Sequence, residues 1–90
     1  LLFQNSGNYS MTGSEDVIIV AKTIPGSTQI TPQGFIPVGY VVAIKDGAGN
    51  AATNPIQFIG TVDGTVNPVY NANYISKTLM WNGVQWNVIG

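Results

Sequence analysis

Residues 74–89, YISKTLMWNGVQWNVI, decide the fold. Two runs rich in β-branched and aromatic residues flank Asn82-Gly83. That pair is preferred in a two-residue type I′ hairpin, whose central positions both take positive φ. The pattern predicts strands over 74–81 and 84–89. Along the second, Val84, Trp86 and Val88 share a face opposite Gln85, Asn87 and Ile89, which makes Trp86 the expected core anchor. Trp81, beside the hairpin tip, is expected to be the more exposed of the two indoles.

Upstream the same punctuation recurs: short apolar runs broken by Gly and Pro. Residues 16–22, DVIIVAK, and 39–45, GYVVAIK, read as the two strongest strands, each with little polar contrast between its faces. Shorter strands are expected over 27–31 and 55–59, and a weak one over 66–70, where Pro68 cannot donate to a ladder. Ile24-Pro25-Gly26, residues 46–50 and Asp63-Gly64 are turns. In the loop 32–39, Phe35 and Ile36 are expected to tuck inward. Residues 1–15 read as an N-terminal arm, with an edge strand available at Leu1, Leu2 and Phe3 and a turn-rich, irregular run over 5–13. Residues 16–90 form the domain. No helical spacing survives without a Pro or Gly inside it, so the expected class is all-β, as a small antiparallel β-sandwich or β-prism-like domain.

Composition narrows the function. Ninety residues hold one small core, which is marginal alone, and there is no cysteine to staple it. Charged residues are 8% of the chain, against about 25% in ordinary soluble domains. Yet no apolar run approaches the ~18 residues of a membrane span. Such a surface is expected to face other protein, so self-association is the stabiliser that remains. With both faces of 16–22 and 39–45 apolar, Ile18, Val20, Val41 and Leu79 are the expected subunit contacts. A net charge of −1 without arginine argues against nucleic-acid binding, which needs clustered cations.

Chemistry is poorly provided for. Histidine and cysteine are both absent, which removes His-based nucleophilic catalysis and thiolate metal sites. Asp46 and Asp63 each precede Gly, the setting of a carboxylate that caps its own turn. Residues 46–50, DGAGN, lack the further oxygen ligands of a calcium loop. No catalytic residue, cofactor or metal is expected. The residues left for a ligand are Trp81 and Tyr74, as stacking surfaces for a sugar ring, with Asp46 and Asn50 beside them.

Three stretches taken together resemble a module of bacteriophage fibre proteins: Ile30-Thr31-Pro32, YVVAIKDGAGNAATNPIQFIGTVDG over 40–64, and YISKTLMWNGVQWNVIG over 74–90. That module has a Thr-Leu-Pro-like strand end, an Ile-Lys-Asp hairpin, an Asp-Gly turn and a closing hairpin. Lys77 and Trp81 depart from its usual apolar and small polar residues. The resemblance implies a structural protein of a head fibre, tail fibre or capsid-surface spike, intertwined as a homotrimer. It also implies other virion proteins as partners and a location on the virion surface. A tip domain that binds a bacterial surface glycan or receptor is the alternative.

Overall fold

The β-branched runs become short strands in the computed structural model, which describes residues 1–4 and 7–90 and, for Phe3, the backbone alone. In chain order they are β1 (Leu2–Gln4), β2 (Tyr9–Met11), β3 (Val17–Val20), β4 (Thr28–Pro32), β5 (Val41–Asp46) and β6 (Ile56–Phe58). There follow β7 (Thr61–Val62), β8 (Thr65–Val66), β9 (Val69–Tyr70), β10 (Ser76–Trp81) and β11 (Trp86–Val88). Among the described residues there is no helix. The strands make two sheets, ordered β1-β3-β5-β10-β11-β7-β8 and β2-β4-β6-β9.

From β1 to β6 the chain alternates between the two sheets, strand by strand. Each strand's neighbour within its own sheet therefore lies two strands away in sequence and runs the same way. The pairs β1–β3, β3–β5, β2–β4 and β4–β6 are all parallel. A strand laid in the opposite sheet makes the crossover that a helix more often supplies. The later pairs are antiparallel (β5–β10, β10–β11, β6–β9, β7–β8), apart from β11 beside β7. The all-β reading holds, and the antiparallel arrangement does not: both sheets are mixed.

The sheets close on one core. Ile18, Val20, Val42, Ile44, Leu79 and Trp86 of the larger sheet meet Met11, Ile30, Ile56, Phe58 and Tyr70 of the smaller. Trp86, 3% exposed, is the anchor the alternation indicated. Its indole meets Phe58 edge-on at 5.1 Å between ring centres, joining the two sheets, and Tyr40 edge-on at 6.1 Å. Burying each large apolar side chain contributes about 1.5–3 kcal/mol before ordering costs. Ile18, Val20 and Leu79 are thus covered by the same chain's second sheet, which corrects their assignment as subunit contacts. Of that set only Val41 is exposed.

Residues 1–15 do not stand apart as an arm. β1 edges the larger sheet, as expected of its apolar start, and β2 occupies part of the run expected to be irregular. Residues 5 and 6 of that run lie outside the described residues. Met11 enters the core, and Glu15 ties the segment down. Tyr9 donates its hydroxyl to the Glu15 carboxylate, and the amides of Thr12 and Gly13 donate to it at 2.9–3.1 Å. The Tyr40 hydroxyl donates to the Glu15 main-chain carbonyl and lies 3.3 Å from its carboxylate. Burial pushes the Glu15 carboxyl up, but the Tyr9 hydroxyl and the amides outweigh it and hold the group at about 2.

The closing hairpin differs from its expected form. Trp81 pairs with Trp86, so the loop has four residues, 82–85, instead of two. Gly83 has φ 94° while Asn82 is not among the positive-φ residues, which excludes type I′. Asn82 instead builds an Asx turn. Its Oδ1 accepts from the amides of Val84 and Gln85, each at 2.9 Å. The weak strand over 66–70 is divided at Asn67-Pro68 between β8 and β9, which belong to different sheets.

Candidate functional site

The four residues proposed from sequence as ligand contacts do not converge. Ser76, at one end of β10, pairs with Lys45, and Met80, near the other, pairs with Val41. Tyr74 precedes the first end and Trp81 closes the second, so the length of β10, roughly 17 Å at ~3.3 Å per residue, separates them. Asp46, Asn50 and Tyr74 gather at the Tyr74 end. Trp81 stands alone at the other.

Asp46 is not available to a ligand. It is 1% exposed, and both carboxylate oxygens are taken by the main chain. Oδ1 accepts from the amides of Ala48 and Gly49 at 3.2 and 3.0 Å, and Oδ2 from those of Ala51 and Tyr74 at 2.9 and 3.0 Å. Burial raises its pKa, and the four amides more than offset this, leaving it below the ordinary carboxylate range. The turn-capping role expected of Asp46 is what the contacts give. Asp63 does something else: its carboxylate reaches across to Asn87 Nδ2 at 3.1 Å and the Val88 amide at 3.3 Å. Asn50 donates from Nδ2 to the Lys22 carbonyl at 3.0 Å.

Tyr74 lies in the left-handed region, φ 62°, with its main-chain amide donating to Asp46 Oδ2 at 3.0 Å. Its ring lies over Gly49, and the Lys45 ammonium stands 5.6 Å from the ring centre. Among the described residues no group of three acidic side chains is placed to hold a metal. No helix among them is long and apolar enough to cross a membrane.

A concave feature lies at the Trp81 end. The loop from Pro32 to Val38 and the 81–86 hairpin leave an open hollow of about 430 Å³ between them. Pro32, Ile36, Trp81 and Trp86 line it, and Gly34 and Gly83 bring main chain to its edge. The two indoles are tilted at 47° with centres 5.4 Å apart. Ile36 packs on the core as expected, but Phe35 is 85% exposed at the rim. Pro37 disfavours helical backbone at Ile36, and in extended chain adjacent side chains point to opposite sides. Trp81 is half-buried, its exposure limited by Trp86.

A second surface lies on the outer face of the larger sheet. Register puts Val17, Ala43 and Thr78 in one row, Ile19, Lys45 and Ser76 in another, and Val41, Met80 and Asn87 in a third. Lys45 is the one charge among these nine, and Val17, Ile19, Ala43 and Met80 are half-buried. Sequence reasoning missed this division of labour. It found two apolar faces on β3 and β5 but could not tell which face the second sheet would cover. The Tyr9–Glu15–Tyr40 cluster was missed too, because no local spacing links Tyr40 to the others.

No protein-family model matches this chain, and no curated protein matches it.

Proposed function

We propose that the chain is a structural, self-associating β-module of the bacteriophage fibre type, a homotrimer at a virion surface in company with other virion proteins. Its role on this reading is mechanical, with no catalytic group and no cofactor. The observation that carries it is the outer face of the larger sheet, where Val17, Ile19, Val41, Ala43 and Met80 lie together with a single charge among them. An apolar sheet face of this kind is characteristic of protein–protein contact. The sequence motifs around Asp46 and Asn82, which carry the resemblance, add to it.

Sedimentation equilibrium on the chain tests the reading. A trimer is expected, and a well-folded monomer at micromolar concentration would sink it. Val41→Asp should dissociate the assembly while leaving the fold intact, because Val41 is exposed and outside the core. Val20→Asp should unfold the chain instead, since Val20 is buried inside it.

The hollow beside Trp81 favours a second reading, a receptor- or glycan-binding tip. Iodide quenching of Trp81, relieved by bacterial polysaccharide, would support it. An indole that does not respond to sugar would count against it. Tyr74, Asp46 and Asn50 belong to no such site, since they lie at the other end of β10.

A further inference from the structure

Asn or Asp followed by Gly occurs three times, at 46–47, 63–64 and 82–83. In such a pair the glycine nitrogen can reach the preceding side-chain carbonyl carbon and close a five-membered ring, and this proximity makes the pair chemically labile. Glycine assists because it lacks the Cβ that would crowd the approach. The fold engages two of the three nitrogens. The Gly47 amide donates to the Val20 carbonyl at 2.9 Å, and the Gly64 amide to Gln85 Oε1 at 2.9 Å. The Gly83 amide has no acceptor among the described residues, and Asn82 and Gly83 are both exposed. The remaining described asparagines are hindered in other ways. Asn54 and Asn67 precede proline, which has no N–H to give up. The amides after Asn50, Asn73 and Asn87 are donated to Asp46 or Asp63, at 2.9, 3.0 and 3.3 Å. Asn8 and Asn71 precede residues that carry a Cβ.

The electrophile is prepared as well. Asn82 Oδ1 accepts from the Val84 and Gln85 amides, each at 2.9 Å. When the Gly83 nitrogen adds to Cγ, negative charge develops on Oδ1, and donors already at hydrogen-bond distance meet it without reorganising. We infer that Asn82-Gly83 is a site of spontaneous covalent modification in the folded protein, converting Asn82 to aspartate or isoaspartate through a cyclic imide. Solvent hydroxide takes the Gly83 proton, and the nitrogen forms a bond to Cγ. The bond from Cγ to Nδ2 breaks, and Nδ2 leaves as ammonia with a proton from water. A water molecule then opens the ring at either carbonyl, and nothing is oxidised or reduced. Either product adds a negative charge to a chain of net charge −1 and loses the Nδ2 donor to Asn87 Oδ1. Isoaspartate also carries the main chain through Cβ and Cγ. That lengthens the 82–85 loop and turns Oδ1 into a main-chain oxygen, which ends the Asx turn.

Peptide mapping by mass spectrometry tests this, after parallel incubation of the folded chain and of the same chain unfolded in urea. A gain of one mass unit is expected first in the peptide that holds 82–83, at a folded rate no lower than the unfolded one. Isoaspartate-specific methylation should label the same peptide. A folded rate below the unfolded one overturns the inference, because the loop would then protect Asn82. So does earlier modification of the folded chain at any other described asparagine. Val84→Pro removes one of the two amide donors at an exposed position and should slow the folded reaction by roughly tenfold or more, with an unchanged circular dichroism spectrum. An unchanged rate in that folded variant removes the oxyanion argument and overturns the inference with it. If Val84→Pro fails to fold, the comparison of folded with unfolded wild type decides alone.

Discussion

The Tyr74 ring lies so close over Gly49 that a Cβ there would fall 2.3 Å from its Cζ. Gly49 also has φ 73°, a conformation that costs an L-residue about 1–2 kcal/mol. Gly49→Ala should therefore meet two penalties, the backbone strain and the displacement of Tyr74 from beside Lys45. Gly64→Ala separates them, since Gly64 has φ 81° with nothing within 4 Å of its Cβ position. We expect urea denaturation to show Gly49→Ala less stable than Gly64→Ala by about 1 kcal/mol, the order of an exposed cation–π contact together with its local packing. Equal midpoints would mean that Tyr74 moves aside freely.

Glu15 gives the fold an acid dependence with a defined sign. Its folded pKa is about 2 against an ordinary 4.5, so its stabilising effect is fully present above about 4.5. It is lost as pH falls through about 2. Glu15→Gln should be less stable than wild type at neutrality by roughly 2 kcal/mol. That gap should narrow between pH 4.5 and 2, measured by thermal melts at stepped pH. A gap that stays constant over the range would show that the Glu15 charge does not contribute.

The same cluster acts in reverse at the alkaline end. The Tyr9 hydroxyl is pushed up to about 12, first by its bond to Glu15 and then by burial. Tyr40 is also pushed to about 12, first by burial and then by the Glu15 charge. A raised phenol pKa contributes stability below the ordinary value of 10 that is lost as pH rises toward 12. Absorbance titration should show both phenols retaining their protons beyond pH 11, with each single Tyr→Phe variant missing the late amplitude of one group. Ionisation of both near pH 10 in the folded protein would contradict the geometry.

Much of the strand content could be read in the sequence, and the pairing could not. Residues 17–20 and 41–46 announce themselves by β-branching, and Trp86 by its alternation. Whether β3 runs parallel to β5 depends on where the chain spends residues 21–40. Laying β4 in the opposite sheet reverses direction twice and leaves no local mark. Asn82-Gly83 misled for a related reason: pairing Trp81 with Trp86 brings two tilted indoles into contact, and the four-residue loop goes with that pairing. At the ligand candidates, strand geometry alone already placed Tyr74 and Trp81 at opposite ends of β10. The exposure of Phe35 and the hollow beside it needed the loop's path, which no residue pattern in 32–39 records.

The hairpin loop offers a sharp test of that four-residue form. In a two-residue type I′ turn both central residues need positive φ, and Asn at the first position serves mainly to allow it. In the observed loop Asn82 is needed for its side chain, which accepts the amides of Val84 and Gln85 and donates to Asn87. Asn82→Gly should then be destabilising, by about 0.5–1 kcal/mol, through the lost side-chain hydrogen bonds and the added backbone freedom of glycine. In a type I′ turn the same change would be close to neutral, because Gly accepts positive φ without strain. Asn82→Asp keeps the accepting oxygen and should recover most of the loss, falling short only by the bond to Asn87. Chemical denaturation of the three variants decides between the two turns, and a neutral Asn82→Gly would restore the two-residue hairpin.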